Sequence, residues 1–139
     1  MLKFLKGALA VSQALVLGAA LLPVSAGAQT AEPELVKTWI AGGSGIVKLV
    51  IASTPAGATV TAWGSCHPTP CAWGTRPLTI FAPNVSTKLG RTGLAIYQTT
   101  FSETWLVASL AGNALDVQTF THFTDHSGRS NYTQTVVMH

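Results

Sequence analysis

The chain has 139 residues, 9% of them charged and 47% hydrophobic, with a formal net charge of +3. Two of its eight basic residues, Lys3 and Lys6, belong to an N-terminal leader. Residues 29–139 then hold six Lys/Arg against five Asp/Glu, a net charge of +1. Charge this sparse and scattered forms no basic stripe, which argues against a nucleic-acid partner.

Lys3 and Lys6 precede an apolar run over 8–22 that is interrupted only by Ser12, Gln13 and Gly18. Pro23 breaks that run, and Ala26-Gly27-Ala28 fits a signal-peptidase site, with Val24-Ser25-Ala26 as a second. The run is shorter than the ~20 residues of a spanning helix, so 1–28 reads as a secretory signal peptide and not as an anchor. The expected location is secreted or periplasmic, with no membrane span in the mature chain. Residues 29–34 are expected as a flexible tail and 35–139 as a single β domain.

No window after the leader sustains helical apolar spacing. Short runs rich in β-branched and aromatic residues recur instead, separated by turn residues. Eight strands are predicted. The first, 35–41, carries Trp39 and ends at the Gly42-Gly43-Ser44-Gly45 turn. The second, 46–52, places Val47, Leu49 and Ile51 on one face. Thr54-Pro55-Ala56-Gly57 turns into the third, 58–63. A cysteine loop leads to the fourth, 76–82, and a polar connection over 84–90 to the fifth, 91–101. The sixth, 104–110, turns at Ala111-Gly112-Asn113 into the seventh, 114–124. Asp125-His126-Ser127-Gly128 turns into the eighth, 129–138. Eight short strands with tight links suggest an antiparallel meander, closed or partly open as a small β-barrel, with a β-sandwich as the alternative.

The densest segment is Trp63-Gly64-Ser65-Cys66-His67-Pro68-Thr69-Pro70-Cys71-Ala72-Trp73-Gly74. It holds both cysteines and two of the four tryptophans. In an oxidising compartment the bland expectation is a local Cys66–Cys71 disulfide. A metal site of Cys66, His67, Cys71 and another histidine lacks the second chelating pair that zinc uses. A redox pair lacks Cys-x-x-Cys spacing. Trp63 and Trp73 are either core or, if one faces outward, a flat platform for a sugar or an aromatic or quaternary ammonium ligand.

The second dense segment runs from Phe120 to Tyr132. Asp125 and Gly128 suit a hairpin turn, with Asp125 and Arg129 pairing across it. In the functional alternative, His122, Asp125, His126 and Arg129 gather to hold an anion or to move protons. No nucleophile elbow, poised carboxylate pair, phosphate loop or dinucleotide fingerprint is present, and no cofactor is expected.

With both segments in view, the chain resembles a group of small secreted bacterial proteins. They share Trp-Gly-x-Cys-x-Pro-x-x-Cys-x-Trp-Gly and, further on, His-Phe-Thr-Asp-x-Ser-Gly-Arg-x-x-Tyr, here Trp63 to Gly74 and His122 to Tyr132. That resemblance implies a family and no reaction. Trp39 with the glycine-rich turn after it also resembles the entry to lipocalin-like or avidin-like barrels, whose eight strands enclose room for one small ligand. The expected function is capture of a small molecule or glycan near loop 63–74, with Trp63, His67, Trp73, His122, Asp125 and Arg129 as contacts and Cys66–Cys71 as scaffold. Two alternatives stand beside it. One is an inhibitor or other interaction partner of a secreted hydrolase, and the other a small barrel enzyme using His122, Asp125 and Arg129.

Overall fold

The computed structural model describes residues 29–139, so the leader read over 1–28 lies outside the described residues. Every regular element among them is a β-strand. In chain order these are β1 (Thr30–Ala31), β2 (Thr38–Ile40), β3 (Ile46–Thr54), β4 (Gly57–Gly64), β5 (Cys71–Pro77) and β6 (Thr79–Phe81). They continue with β7 (Leu89–Gly90), β8 (Thr92–Gln98), β9 (Ser102–Ala111), β10 (Ala114–Phe123) and β11 (Tyr132–Met138).

The strands form two antiparallel sheets and one small parallel pair. One sheet has the order β2-β3-β4-β5, the other β11-β10-β9-β8-β6, and β1 pairs with β7. The all-β meander expected from turn spacing is therefore present, with consecutive long strands as neighbours. Leu78, between β5 and β6, passes the chain from one sheet to the other, and its N–H donates to Ala58 O at 2.9 Å. On the opposite flank, Ile40 and His139 exchange backbone hydrogen bonds of 3.0 and 2.9 Å, tying the end of β2 to the end of the chain.

The described residues form eleven strands where about eight are expected, and several boundaries differ. The predicted strand 76–82 is two strands in different sheets: β5, which begins at Cys71 because it pairs with β4 from Gly64↔Cys71 onward, and β6 beyond Leu78. The predicted strand 91–101 ends at Gln98, and the next begins at Ser102 instead of Thr104. The predicted strand 129–138 begins only at Tyr132, after the Asp125–Arg129 turn. Residues 29–34, expected as a tail, make specific contacts. Thr30–Ala31 pairs with Leu89–Gly90, Glu32 forms an ion pair with Arg91 at 3.3 Å, and Ala31 is buried.

Alternation decides the core. Along β10, Leu115, Val117, Thr119 and Thr121 point in, while the residues between them point out. Along β3, a register shift between Ile46 and Lys48 sends Ile46 inward instead of Val47, beside the buried Leu49 and Ile51. Trp39, Leu35, Val60, Leu106 and Met138 complete the centre of the core, and Trp39 Nε1 donates to Leu35 O at 3.1 Å. Each fully buried aliphatic side chain contributes about 1.5–3 kcal/mol relative to exposure.

Candidate functional site

The disulfide loop joins β4 to β5. Cys66 and Cys71 are bonded, with their Cα atoms 5.4 Å apart. Such a bond belongs to an oxidising compartment. With both sulfurs engaged, neither is a thiolate for a metal or for redox exchange. Ser65 N–H donates to Gly45 O at 2.7 Å and Gly45 N–H donates to Ser65 Oγ at 3.1 Å, so the loop is also tied to the β2–β3 turn. His67, Pro68, Thr69 and Pro70 are exposed.

The doubled Ala-Trp-Gly triplet suggests two equivalent tryptophans, but the fold separates them. In the β4–β5 ladder Ala62 faces Gly74 and Trp63 faces Ala72, so Trp73 is the extra residue of a β-bulge. Gly74 sits at φ +89°, a conformation that an L side chain rarely adopts, which is why a glycine closes the bulge. Without the extra residue, Trp63 and Trp73 would lie opposite one another on one face. With it, Trp73 turns inward and packs on the core, edge-to-face with Tyr97 at 5.6 Å between centroids. Its indole lies over Gly64, where an added Cβ would come within 2.8 Å of Nε1. Trp63 stays on the outer face of its sheet, with Lys48 Nζ 4.5 Å from its ring. The two tryptophans therefore form no common platform.

Trp73 stands at one end of a cavity of about 370 Å³ where β5 and β8 part. These strands belong to different sheets, so their facing edges are not laddered together. Tyr97, Phe101, Phe123 and Tyr132 supply the other aromatic walls, and Ser102, Thr104 and Thr121 supply hydroxyls. Thr104 and Thr121 share a hydrogen bond of 2.9 Å, as do Thr99 and Ser102 at 3.0 Å. Each hydroxyl offers one donor and two acceptor positions, so the paired groups keep acceptor capacity for a ligand. Arg76 reaches the rim, 5.9 Å from the Tyr97 ring. The volume falls in the range of small-molecule sites, as does the mixture of apolar walls and few polar groups.

Tyr97 holds the two sheets together across this gap. Its hydroxyl lies 3.2 Å from both Val60 O and Gly74 O. Burial pushes the phenol up to about 12, a shift that the nearby Arg76 partly offsets.

Among the described residues, no hydrogen bond or ion pair joins His122 to Asp125 or Arg129, so that expected cluster divides. His122 lies on the outer face of β10, in register with Glu103. Asp125 and Arg129 pair at 2.6 Å across their turn, and Ser127 N–H and Arg129 Nε–H satisfy Asp125 Oδ1 and Ser127 Oγ. The Ser127 hydroxyl is the main reason that Asp125 lies below the usual carboxylate range, with Arg129 and the Ser127 N–H adding to it. The Arg129 guanidinium stacks 4.0 Å from the Phe123 ring and 5.3 Å from that of Phe101. Arg129 thus caps a cavity wall, while Asp125 holds Arg129 there.

Of the six expected contacts, then, Trp73 lines the cavity and Arg129, with Asp125 behind it, borders it. Trp63 and His122 face outward on different sheets, and His67 stands in the exposed loop. Sequence reasoning missed Tyr97, Phe101, Thr104, Thr121, Phe123, Tyr132 and Arg76. A signal for part of this set was legible. Ser102 and Thr104 continue the alternation of Leu106 and Ala108, and Thr119 and Thr121 that of Leu115 and Val117, so hydroxyls extend two inward rows. Both dense segments of the sequence also converge here, Trp73 from the first and Phe123 and Tyr132 from the second.

Fold and site together define a small all-β protein with a disulfide-closed loop and an aromatic cavity between its sheets. No protein-family model, curated protein or solved structure matches the chain.

Proposed function

We propose that this is an exported β-barrel binding protein, flattened and parted along the β5–β8 seam, that captures a small molecule or glycan in the cavity beside loop 63–74. One observation carries the reading: the 370 Å³ cavity combines five aromatic side chains with four serine and threonine hydroxyls at the parted end of the sheets. A core built for stability alone has no reason to align Ser102, Thr104 and Thr121 there, since buried hydroxyls add less than apolar side chains. The Ile40–His139 link on one flank and the Leu78 crossover on the other support a barrel in place of two separate layers. The aromatic walls favour a flat or ring-shaped ligand, the hydroxyls one with polar substituents, and Arg76 at the rim one with an acceptor or anionic group. The disulfide and the bulge hold Trp73 in place before binding, which lowers the ordering cost of capture.

Native mass spectrometry of protein prepared from an oxidising compartment tests this reading. A retained organic adduct, lost in the Trp73→Ala variant while that variant stays folded, is the expected result. Bare protein that binds no member of a small-molecule library, with the cavity intact, would sink it. The exposed, ring-closed 67–70 loop favours a second reading as an element inserted into a secreted hydrolase, and inhibition lost on His67→Ala would support that instead.

A further inference from the structure

The outer face of the five-stranded sheet carries a second built surface, which meets the cavity at Gln98, Thr121 and Tyr132. The antiparallel register sets Ile96, Trp105 and Phe120 side by side across β8, β9 and β10. All three point to solvent, 41%, 48% and 44% exposed. The neighbouring row is polar, with Gln98, Glu103 and His122 in register on the same strands.

This polar row is organised around Glu103. Gln98 Nε2 donates to one carboxylate oxygen at 2.7 Å and Trp105 Nε1 donates to the other. Those bonds keep the carboxylate below its usual range, with the His122 charge adding to them. They also fix the indole plane, because its N–H edge is held to the carboxylate while its face stays open. Asn131, Tyr132 and Thr133 close the far side of a concave site of about 410 Å³.

Three occupants suit exposed aromatics, and the surroundings choose among them. A protein partner would need about 800 Å² on each side. The exposed apolar row here is confined to Ile96, Trp105 and Phe120 and is bordered at once by the polar row of Gln98, Glu103 and His122. An organic cation would seek the Glu103 carboxylate, but both of its oxygens already accept hydrogen bonds, from Gln98 and Trp105. A neutral sugar fits better. Its apolar ring face covers the fixed indole, and its hydroxyls find both acceptors and donors at the rim.

We infer that this face is a saccharide platform, on which a pyranose ring of a neutral oligosaccharide stacks against Trp105 and Phe120 and its hydroxyls bond Glu103, His122 and Asn131. The platform shares Thr121 and Tyr132 with the lining of the cavity between the sheets and differs from it in the tryptophan it presents, Trp105 here and Trp73 there.

The test is calorimetric titration of the mature protein with cellohexaose, xylohexaose, mannohexaose and chitohexaose, and separately with tetramethylammonium. Binding of at least one hexaose is expected, weakened ~10-fold or more by Trp105→Ala, a loss of the size of one aromatic stacking contact. Glu103→Gln, which keeps the shape of the side chain, should weaken it as well and guards against a Trp105 variant that fails to fold. Trp63→Ala, on the outer face of the other sheet, should leave the affinity within about twofold. Binding of no hexaose overturns the inference, and so does tetramethylammonium binding in place of the sugars. Sugar binding lost in Trp73→Ala but kept in Trp105→Ala places the sugar in the cavity and overturns the platform while supporting the cavity reading.

Discussion

Replacing Tyr97 by Phe removes one oxygen from the seam between the sheets and keeps the ring against Trp73. The hydroxyl has a single proton to share between Val60 O and Gly74 O, both 3.2 Å away, so it makes the equivalent of one neutral hydrogen bond. The expected loss at neutral pH is therefore about 1 kcal/mol. The alkaline behaviour is the sharper test. Below pH ~10 the phenol is protonated in the folded and unfolded chains alike, and its contribution is fully present. Between pH ~10 and about 12 the unfolded chain releases this proton while the folded chain holds it, so stability falls as pH rises. The rise from the ordinary value to about 12 corresponds to at most about 2.7 kcal/mol, and screening at the seam reduces that to on the order of 1 kcal/mol. Urea unfolding of wild type and Tyr97→Phe across pH 7 to 12 measures the difference, and tyrosinate absorbance follows the two phenols directly, since the chain has only Tyr97 and Tyr132. The variant should lack the extra alkaline loss, and the late-titrating phenol should vanish with it. If Tyr97 titrates near the ordinary phenol value, it is not held in the seam as described.

Three further perturbations address other parts of the structure. Reducing the Cys66–Cys71 bond, or replacing both residues by Ala, should cost about 2 kcal/mol from the loop-closure relation for so small a ring, read as a lowered urea midpoint; an unchanged midpoint would show that the prolines and the β4–β5 ladder alone hold the loop. Gly64→Ala places a methyl 2.8 Å from Trp73 Nε1 and should destabilise by about 1–3 kcal/mol while shifting tryptophan emission to the red; an unaltered spectrum would mean that Trp73 does not cover Gly64. In acid, Glu103 and Asp125 have folded pKa values below their unfolded ones, so their contribution is present above the ordinary carboxylate range and fades as pH falls through the folded values. Glu103→Gln and Asp125→Asn should each flatten part of the acid limb of a stability–pH profile, and a limb unchanged in both would contradict the bonds assigned to them.

Much of the secondary structure was legible because its determinants are local. Alternation in 114–124 and 104–110 marks which side chains share a face, and Gly112-Asn113 and Gly57 mark where the chain reverses. The strand start at Cys71 was hidden because Cys71 and Ala72 sit inside a proline-rich, disulfide-closed segment, and only the partner β4 recruits them into a ladder. The pairing of Thr30–Ala31 was hidden for the same reason, since a two-residue strand has no period of its own and exists only through Leu89–Gly90. In the candidate site, Trp73 was legible from its dense motif. Tyr97 and Phe101 were not, because their role arises from where the two sheets part.

The sequence by itself determined an all-β chain, most of its turn positions and the Cys66–Cys71 bond. These follow from residue-level preferences and from the chemistry of two nearby thiols. Only the tertiary structure decided that Trp63 and Trp73 face opposite ways, that His122 stands apart from Asp125 and Arg129, and that the hydroxyl rows of β9 and β10 end in an aromatic cavity. The physical reason is register. Side chains alternate with a period of two, so one bulged residue at Trp73 reverses a face, and that residue is bulged because Gly74 pairs with Ala62 while Ala72 pairs with Trp63 across the β4–β5 ladder.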